Sequence, residues 1–276
     1  MAGLPLVLPL NEPRCCDVAL SGGKGASLAV MMAEGLPVPP GFVVTSAAFA
    51  GAVDVKAVRA LMAGRDAAAV RSVVAAAKLP VDPIVQQYRR QKGSVAVRSS
   101  ACAEDSERAS YAGVQESYLN VDNLESLLKH IVECWLSFFS ERAIFYREEK
   151  GSLDDVGIAV VIQEMVQSRK SGVLFTVDPV QGRRDRMIVE AGLGLGEVVV
   201  SGRTTPDHYV LDRQGGIRRR RASGTHDPVL SELECRTLAQ LAQRVVELYG
   251  SEQDIEWAID AAGAIALLQS RPVTTV

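Results

Sequence analysis

Four polar residues near the end of the chain, Asp254, Glu256, Gln269 and Arg271, have types and spacings that suit metal and phosphate chemistry. In DIEWAID the carboxylates of Asp254 and Glu256 alternate with Ile255 and Trp257, so on a strand both point to the same side. The turn AAGA sends the chain back as IALLQSRPV, where Gln269 and Arg271, two residues apart, share a face. Two carboxylates on one arm with an amide oxygen on the next suit Mg²⁺, which itself bridges the oxygens of a polyphosphate. A solvated sheet face is the ordinary alternative.

Two earlier segments carry groups for anions. SGGKGAS, residues 21–27, sets Lys24 among glycines just ahead of a helical run. There, bare backbone N–H groups can approach an anion and the helix N-terminus favours its charge. The segment is not a P-loop, because Gly25 stands where Ser or Thr would be needed, and a plain glycine-rich helix start also accounts for it. SVAVRSSACAEDSERASYAG delivers Arg98 at a strand end, followed by a small-residue loop through Gly113. A fixed guanidinium fork suits phosphate oxygens and such a loop can close over them; an ion pair of Arg98 with Glu104 or Asp105 is the other reading.

Other motifs point away from specific chemistries. AGLGLGE, residues 191–197, follows the strand MIVE, but its G-x-G-x-G spacing and the strand-like VVVSGR after it exclude a dinucleotide loop. His130, His208 and His226 have no metal-ligand or phosphocarrier context. Arg218 to Arg221 reads as a solvated strand or turn, with docking of an acidic partner as the lesser reading.

The elements that must position these residues change character along the chain. GASLAVMMAE, residues 25–34, has helical spacing and stops at Gly35 before three prolines, and GFVVT begins a strand. Residues 53–92 predict three or four short helices, and SVAVRSS a strand. Leu124, Leu127, Leu128, Ile131, Trp135, Phe138 and Phe139 mark one face of a single long helix over residues 122–150. The second half turns to strands: GIAVVIQEMV, SGVLFTVDP, RMIVEAG, DHYVLD, IRRRR and the final hairpin, interrupted by the helix SELECRTLAQLAQRVVELYG. The expected class is α+β in two lobes, residues 1–162 and 163–276, with the seam near residues 161–166.

With 276 residues, 47% of them hydrophobic, the chain can bury a sizeable core, which excludes disorder. A net charge of -3 gives no global positive field, so nucleic acid is not an expected partner. No stretch reaches the roughly 20 apolar residues of a membrane span and the N-terminus lacks a basic leader, so a cytoplasmic protein is expected. Five cysteines without zinc spacing are expected to be reduced and mostly packed as small hydrophobes.

These motifs, in order, resemble the ATP-grasp nucleotide-binding domain of the phosphoenolpyruvate synthase, pyruvate phosphate dikinase and rifampin phosphotransferase family. The matching stretches are GGKGASLAVMMAEGLPVPPGFVVT, SVAVRSSACAEDSERASYAGVQESYLNV, SGVLFTVDP, GLGEVVVSGRTTPDHYV and QDIEWAID with LLQSRPV, spanning nearly the whole chain. The resemblance implies that Lys24 and Arg98 grip ATP phosphates and that Glu256 and Gln269 bind Mg²⁺, with Asp254 and Arg271 beside them. It further implies that the loop from Ser110 through Gly113 covers the phosphates and that Gln163, Glu164 and Val166 belong to a hinge holding adenine. Glu190 is counted with the nucleotide contacts, and Arg98, Lys24 and Arg271 with the catalytic groups. Cys102 and Tyr111 depart from the usual Thr and Phe without removing an expected ligand.

In that family the nucleotide lies between the two lobes, and the enzyme splits Mg-ATP to AMP and passes a phosphoryl group to a histidine on a swivelling domain, then to an acceptor. The chain ends just after QSRPV and no histidine matches that carrier. The expectation is therefore an ATP-dependent phosphotransferase domain that needs a phosphohistidine carrier domain or chain and a small-molecule acceptor. The alternatives are an ATP-binding sensor or docking module and an ATP-grasp ligase forming an acyl phosphate.

Overall fold

The computed structural model describes residues 3–102, 116–149, 156–195, 205–222, 224 and 227–274. It divides into one unit of Met1–Ala33 with Pro40–Met165 and a second of Glu34–Pro39 with Val166–Val276. Helices and two antiparallel sheets make the chain α+β, as the change of period along the sequence implies.

The first unit runs β1 (Val7–Pro9), a short 3-10 turn (Pro13–Cys16), α1 (Val18–Ala33) and β2 (Gly41–Val44). Four short helices follow: α2 (Ser46–Ala52), α3 (Val55–Ala63), α4 (Ala67–Ala75) and α5 (Val81–Tyr88). Next come β3 (Val95–Ala101), β4 (Ser117–Val121), α6 (Leu124–Phe138), α7 (Glu141–Glu149) and β5 (Ile158–Glu164). Thr45, Asp54, Asp66 and Asn123 each cap a helix by accepting a backbone N–H of its first turn, which sets where α2, α3, α4 and α6 begin.

The strands form one sheet in the order β1-β2-β5-β3-β4. Val95, Val97 and Ala101 of β3 and Ile158, Val160 and Ile162 of β5 point into a core with Phe49, Leu127, Ile131 and Trp135. By alternation, Ala96, Arg98 and Ser100, with Ala159, Val161 and Gln163, take the opposite face. That face lies against α1, where a Cβ on Gly25 would touch Val43 and Val161.

The single helix expected over residues 122–150 is two. α6 stops at Phe139, and Ser140 accepts the N–H of Ala143 to start α7. The break lets Arg147 fold back, with its guanidinium 4.1 Å from the Phe138 ring and donating to the Phe138 carbonyl at 3.2 Å. The apolar stripe was legible, but the hydroxyl competing for the backbone at Ser140 was not.

The second unit contains β6 (Ser168–Phe175), β7 (Arg186–Leu193), β8 (Asp207–Asp212), β9 (Ile217–Arg221), α8 (Glu232–Tyr249), β10 (Gln253–Asp260) and β11 (Ile265–Pro272). The sheet order is β11-β10-β6-β7-β8-β9. A capping box of Ser231 and Glu234 starts α8, and Gly250 at φ 67° ends it. Glu234 also binds the Lys170 ammonium at 2.6 Å, tying α8 to β6. α8 buries Cys235, Leu238, Ala239, Ala242 and Val245, and Leu174, Met187, Val189, Tyr209, Leu211, Ile255 and Trp257 are among the other buried apolar residues of the unit. The segment Glu34–Pro39 joins this unit, and Pro37 accepts the N–H of Leu267 at 2.8 Å. The expected strand VVVSGR falls outside the described residues. Among the described residues no helix is long and apolar enough to cross a membrane.

All five cysteines are thiols outside any disulfide; Cys15, Cys134 and Cys235 are buried and Cys16 and Cys102 are half-exposed. Burial pushes the thiols of Cys15 and Cys235 up to about 11, and that of Cys134 higher still. Titration with a disulfide reagent near pH 8 should therefore modify Cys16 and Cys102 first and the other three only on unfolding. Five equally fast thiols would contradict this packing.

Candidate functional site

In the first unit the glycine segment lies inside α1 instead of ahead of it. Gly22, at φ 69° and ψ 174°, breaks the helix, so the chain restarts its helical path at the residues that carry Lys24. The reason is the approach of β3: a Cβ on Gly22 would fall on the carbonyl of Ser100. The Ser100 hydroxyl donates to the Ser21 carbonyl at 2.8 Å and accepts the Gly25 N–H at 3.1 Å. Lys24 reaches the Ser99 carbonyl through Nζ at 3.0 Å and is buried. Thus α1 and the end of β3 are locked together by glycine and serine, with Lys24 held at a fixed place.

Arg98 sits on the α1-facing side of β3 opposite Val161, and Ala96 two residues before it is opposite Gln163. Arg98 and Gln163 therefore occupy neighbouring rows of one face. Glu164 is bound at the end of β5, its carboxylate accepting the Lys92 N–H at 2.7 Å and its own N–H donating to Pro40. Ser110 and Gly113, expected in the covering loop, lie outside the described residues. Ser100, to which the sequence assigned no role of its own, is the residue that ties β3 to α1; its signal was the pair of small polar residues directly after Arg98.

In the second unit, register brings the C-terminal residues together. Glu256 is the cross-strand partner of Gln269, and Asp254 of Arg271. The row continues from Glu256 to Val173 of β6, Glu190 of β7, His208 of β8 and Arg221 of β9. Cross-strand partners project to the same side, so Gln269, Glu256, Glu190 and His208 share one face, with neighbouring strands about 4.8 Å apart. Val166 belongs to this unit and accepts the N–H of Ser168 at 2.8 Å just before β6.

Asp254 and Arg271 are committed to each other, with Nε and Nη2 both 2.8 Å from Oδ2. Burial nevertheless holds the Asp254 carboxyl above its ordinary value, since desolvation outweighs the guanidinium and the nearby Glu256 works in the same direction as burial. Glu256 and Gln269 are the oxygen donors that face each other one row away. Among the described residues no three His, Cys, Asp or Glu side chains converge. A set of two hard oxygens does not suit zinc, but it fits Mg²⁺, which keeps water and phosphate oxygens in its shell.

The family described as the pyruvate phosphate dikinase AMP/ATP-binding domain matches residues 18–227 and 217–276. A probable phosphoenolpyruvate synthase of Methanothermobacter thermautotrophicus is 38% identical over 309 residues, covering 94% of this chain and 45% of its own length. A rifampicin phosphotransferase of a Streptomyces species is 38% identical over 319 residues, covering 98% of this chain and 36% of its own. The chain thus spans less than half the length of these relatives. A solved D-alanine–D-alanine ligase of Bacillus anthracis complexed with ATP covers 96% of this chain and 59% of its own at 7% identity and a TM-score of 0.41, too slight a likeness to carry an argument.

The lock between α1 and β3 can be separated from simple backbone strain. Gly22→Ala should lower stability by about 2–4 kcal/mol, combining left-handed strain with the collision at Ser100. Gly35 has nearly the same φ, 67°, but open space around it, so Gly35→Ala should cost about 1–2 kcal/mol. Equal urea midpoints for the two variants would show that the close approach to Ser100 does not matter.

Proposed function

Because the chain belongs to the pyruvate phosphate dikinase AMP/ATP-binding domain family, we propose that it binds Mg-ATP, splits it to AMP and passes a phosphoryl group to a histidine carrier on another domain or chain. The observation that carries this reading is the pairing of Glu256 with Gln269 on one sheet face, in a chain matched almost from end to end by phosphotransferase relatives.

On this reading, Lys24 and Arg98 offset the negative charge of the phosphates, which no global field of this chain would do. Lys24 is preorganised by its bond to the Ser99 carbonyl, so little side-chain freedom is lost when phosphate binds. Glu256 and Gln269 would hold Mg²⁺, which when bound supplies charge neutralisation for the phosphate oxygens. Arg271 keeps its guanidinium on the neighbouring row through Asp254, and Glu190 contributes a carboxylate on the Glu256 row. Gln163, Glu164 and Val166 would contact adenine, and the loop with Ser110 and Gly113 would cover the phosphates. The final acceptor is a small molecule served by the carrier.

Calorimetry and ³¹P NMR with Mg-ATP test these roles. Lys24→Ala should weaken ATP binding about 10- to 100-fold, the effect of removing one charged hydrogen-bonding group. Arg98→Ala should keep much of the binding but abolish AMP formation when a histidine-bearing carrier domain is supplied. Glu256→Gln should remove most of the Mg²⁺ dependence of binding. ATP bound but never converted to AMP, with the carrier present, would leave a sensor and overturn the phosphotransferase reading; full turnover by Arg98→Ala would overturn the role of that residue.

A further inference from the structure

A cavity of about 470 Å³ opens on the Glu256-bearing face of the six-stranded sheet, entirely within the second unit. Its floor is an apolar row, Phe175 of β6, Ile188 of β7 and Val210 of β8, aligned by register and continued on the edge strand by Arg219. Arg186 and the turn after β6 form its walls. The volume is that of a small-molecule site.

Two guanidinium groups lining this cavity have donor capacity that the protein does not use. Arg186 is largely buried, with 16% of its side chain exposed. Its Nη1 lies 3.6 Å from Asp178 and its Nε 3.8 Å from Oδ1 of Asp185, beyond hydrogen-bond distance, so the buried Nε has charged neighbours but no hydrogen-bond partner among the described residues. Arg219 is exposed, and no hydrogen bond or ion pair of its side chain is seen among the described residues. Two of the other charges around the cavity are engaged within the protein. Arg218 pairs with Asp185 at 3.2 Å, and Oδ1 of Asp178 accepts the N–H groups of Val180 and Gln181. Glu190 and His208, cross-strand partners in the adjacent row, line its rim.

Buried donors are rarely left unmade, and a guanidinium fork is matched by phosphate or carboxylate oxygens. An apolar floor below such groups favours a ligand with a flat apolar body. We propose that this cavity is a second ligand site, taking an organic anion whose phosphate or carboxylate meets Arg186 and Arg219 while its apolar body covers Phe175, Ile188 and Val210. The site uses none of Lys24, Arg98, Glu256 and Gln269 and shares only Glu190, on its rim, with the ATP reading, so it goes beyond that reading and its test is independent of it.

Calorimetry of the full chain with phenyl phosphate, benzoate and inorganic phosphate tests the proposal. Phenyl phosphate or benzoate should bind saturably at one site, at least about 10-fold tighter than inorganic phosphate; whichever is tighter identifies the anionic group. Arg219→Ala, a change at an exposed position, should weaken that binding about 10-fold, and Val210→Trp should block it by filling the floor. Mg-ATP affinity should stay within about twofold in Arg219→Ala. Lys24→Ala should leave phenyl phosphate binding unchanged, which separates this site from the nucleotide site even if ATP binding itself fails. No saturable binding, equal affinity for inorganic phosphate, insensitivity to Arg219→Ala, or loss in Lys24→Ala would each overturn the proposal.

Discussion

The second unit depends on the register of β10. With Glu256 opposite Gln269 and Val173, the residues between, Ile255 and Trp257, are buried in the apolar core. A slip of one residue would exchange the two sets, moving the carboxylates into the apolar core and Trp257 out of it. The register is held from several sides. Gly172 lies so close to Trp257 and the Glu190 backbone that no Cβ fits there, and Ser270 bonds the buried amide of Gln253 at 2.8 Å. The hydrophobic demand of one face therefore fixes the chemistry of the other.

The first unit meets a similar demand with other means. Its core face is satisfied by short capped helices packed on β3 and β5, which leaves Arg98 and Gln163 on the face that α1 covers. There the chain needs backbone against backbone, and only glycine at 22 allows it. Ser100 of β3 then pairs with two backbone groups of α1, the Ser21 carbonyl and the Gly25 N–H, freed where Gly22 breaks the helix. Rigid placement of Lys24 is a by-product of that satisfied contact.

The open face of the six-stranded sheet shows how one surface can hold two chemistries. Along one row, oxygen donors suit a hard cation; along the next, apolar side chains end in an arginine on the edge strand. The four arginines of β9 also make its exposed edge a poor template for pairing with another chain. A charged edge strand thus protects the sheet while extending its face.

The sequence by itself determined the order of most elements and the residue types of the site. Period-2 alternation in DIEWAID put Asp254 and Glu256 on one side, and the AAGA turn brought Gln269 and Arg271 back beside them, because both signals act over a few residues. The Ser140 break between α6 and α7, the Gly22 break inside α1 and the membership of residues 34–39 in the second unit were decided by tertiary structure. So were the alignment of Glu190 and His208 with Glu256 and the cavity over Phe175, Ile188 and Val210. Each of these depends on contacts between residues far apart in the chain, and local propensity carries no information about which strand will lie beside which, or how closely.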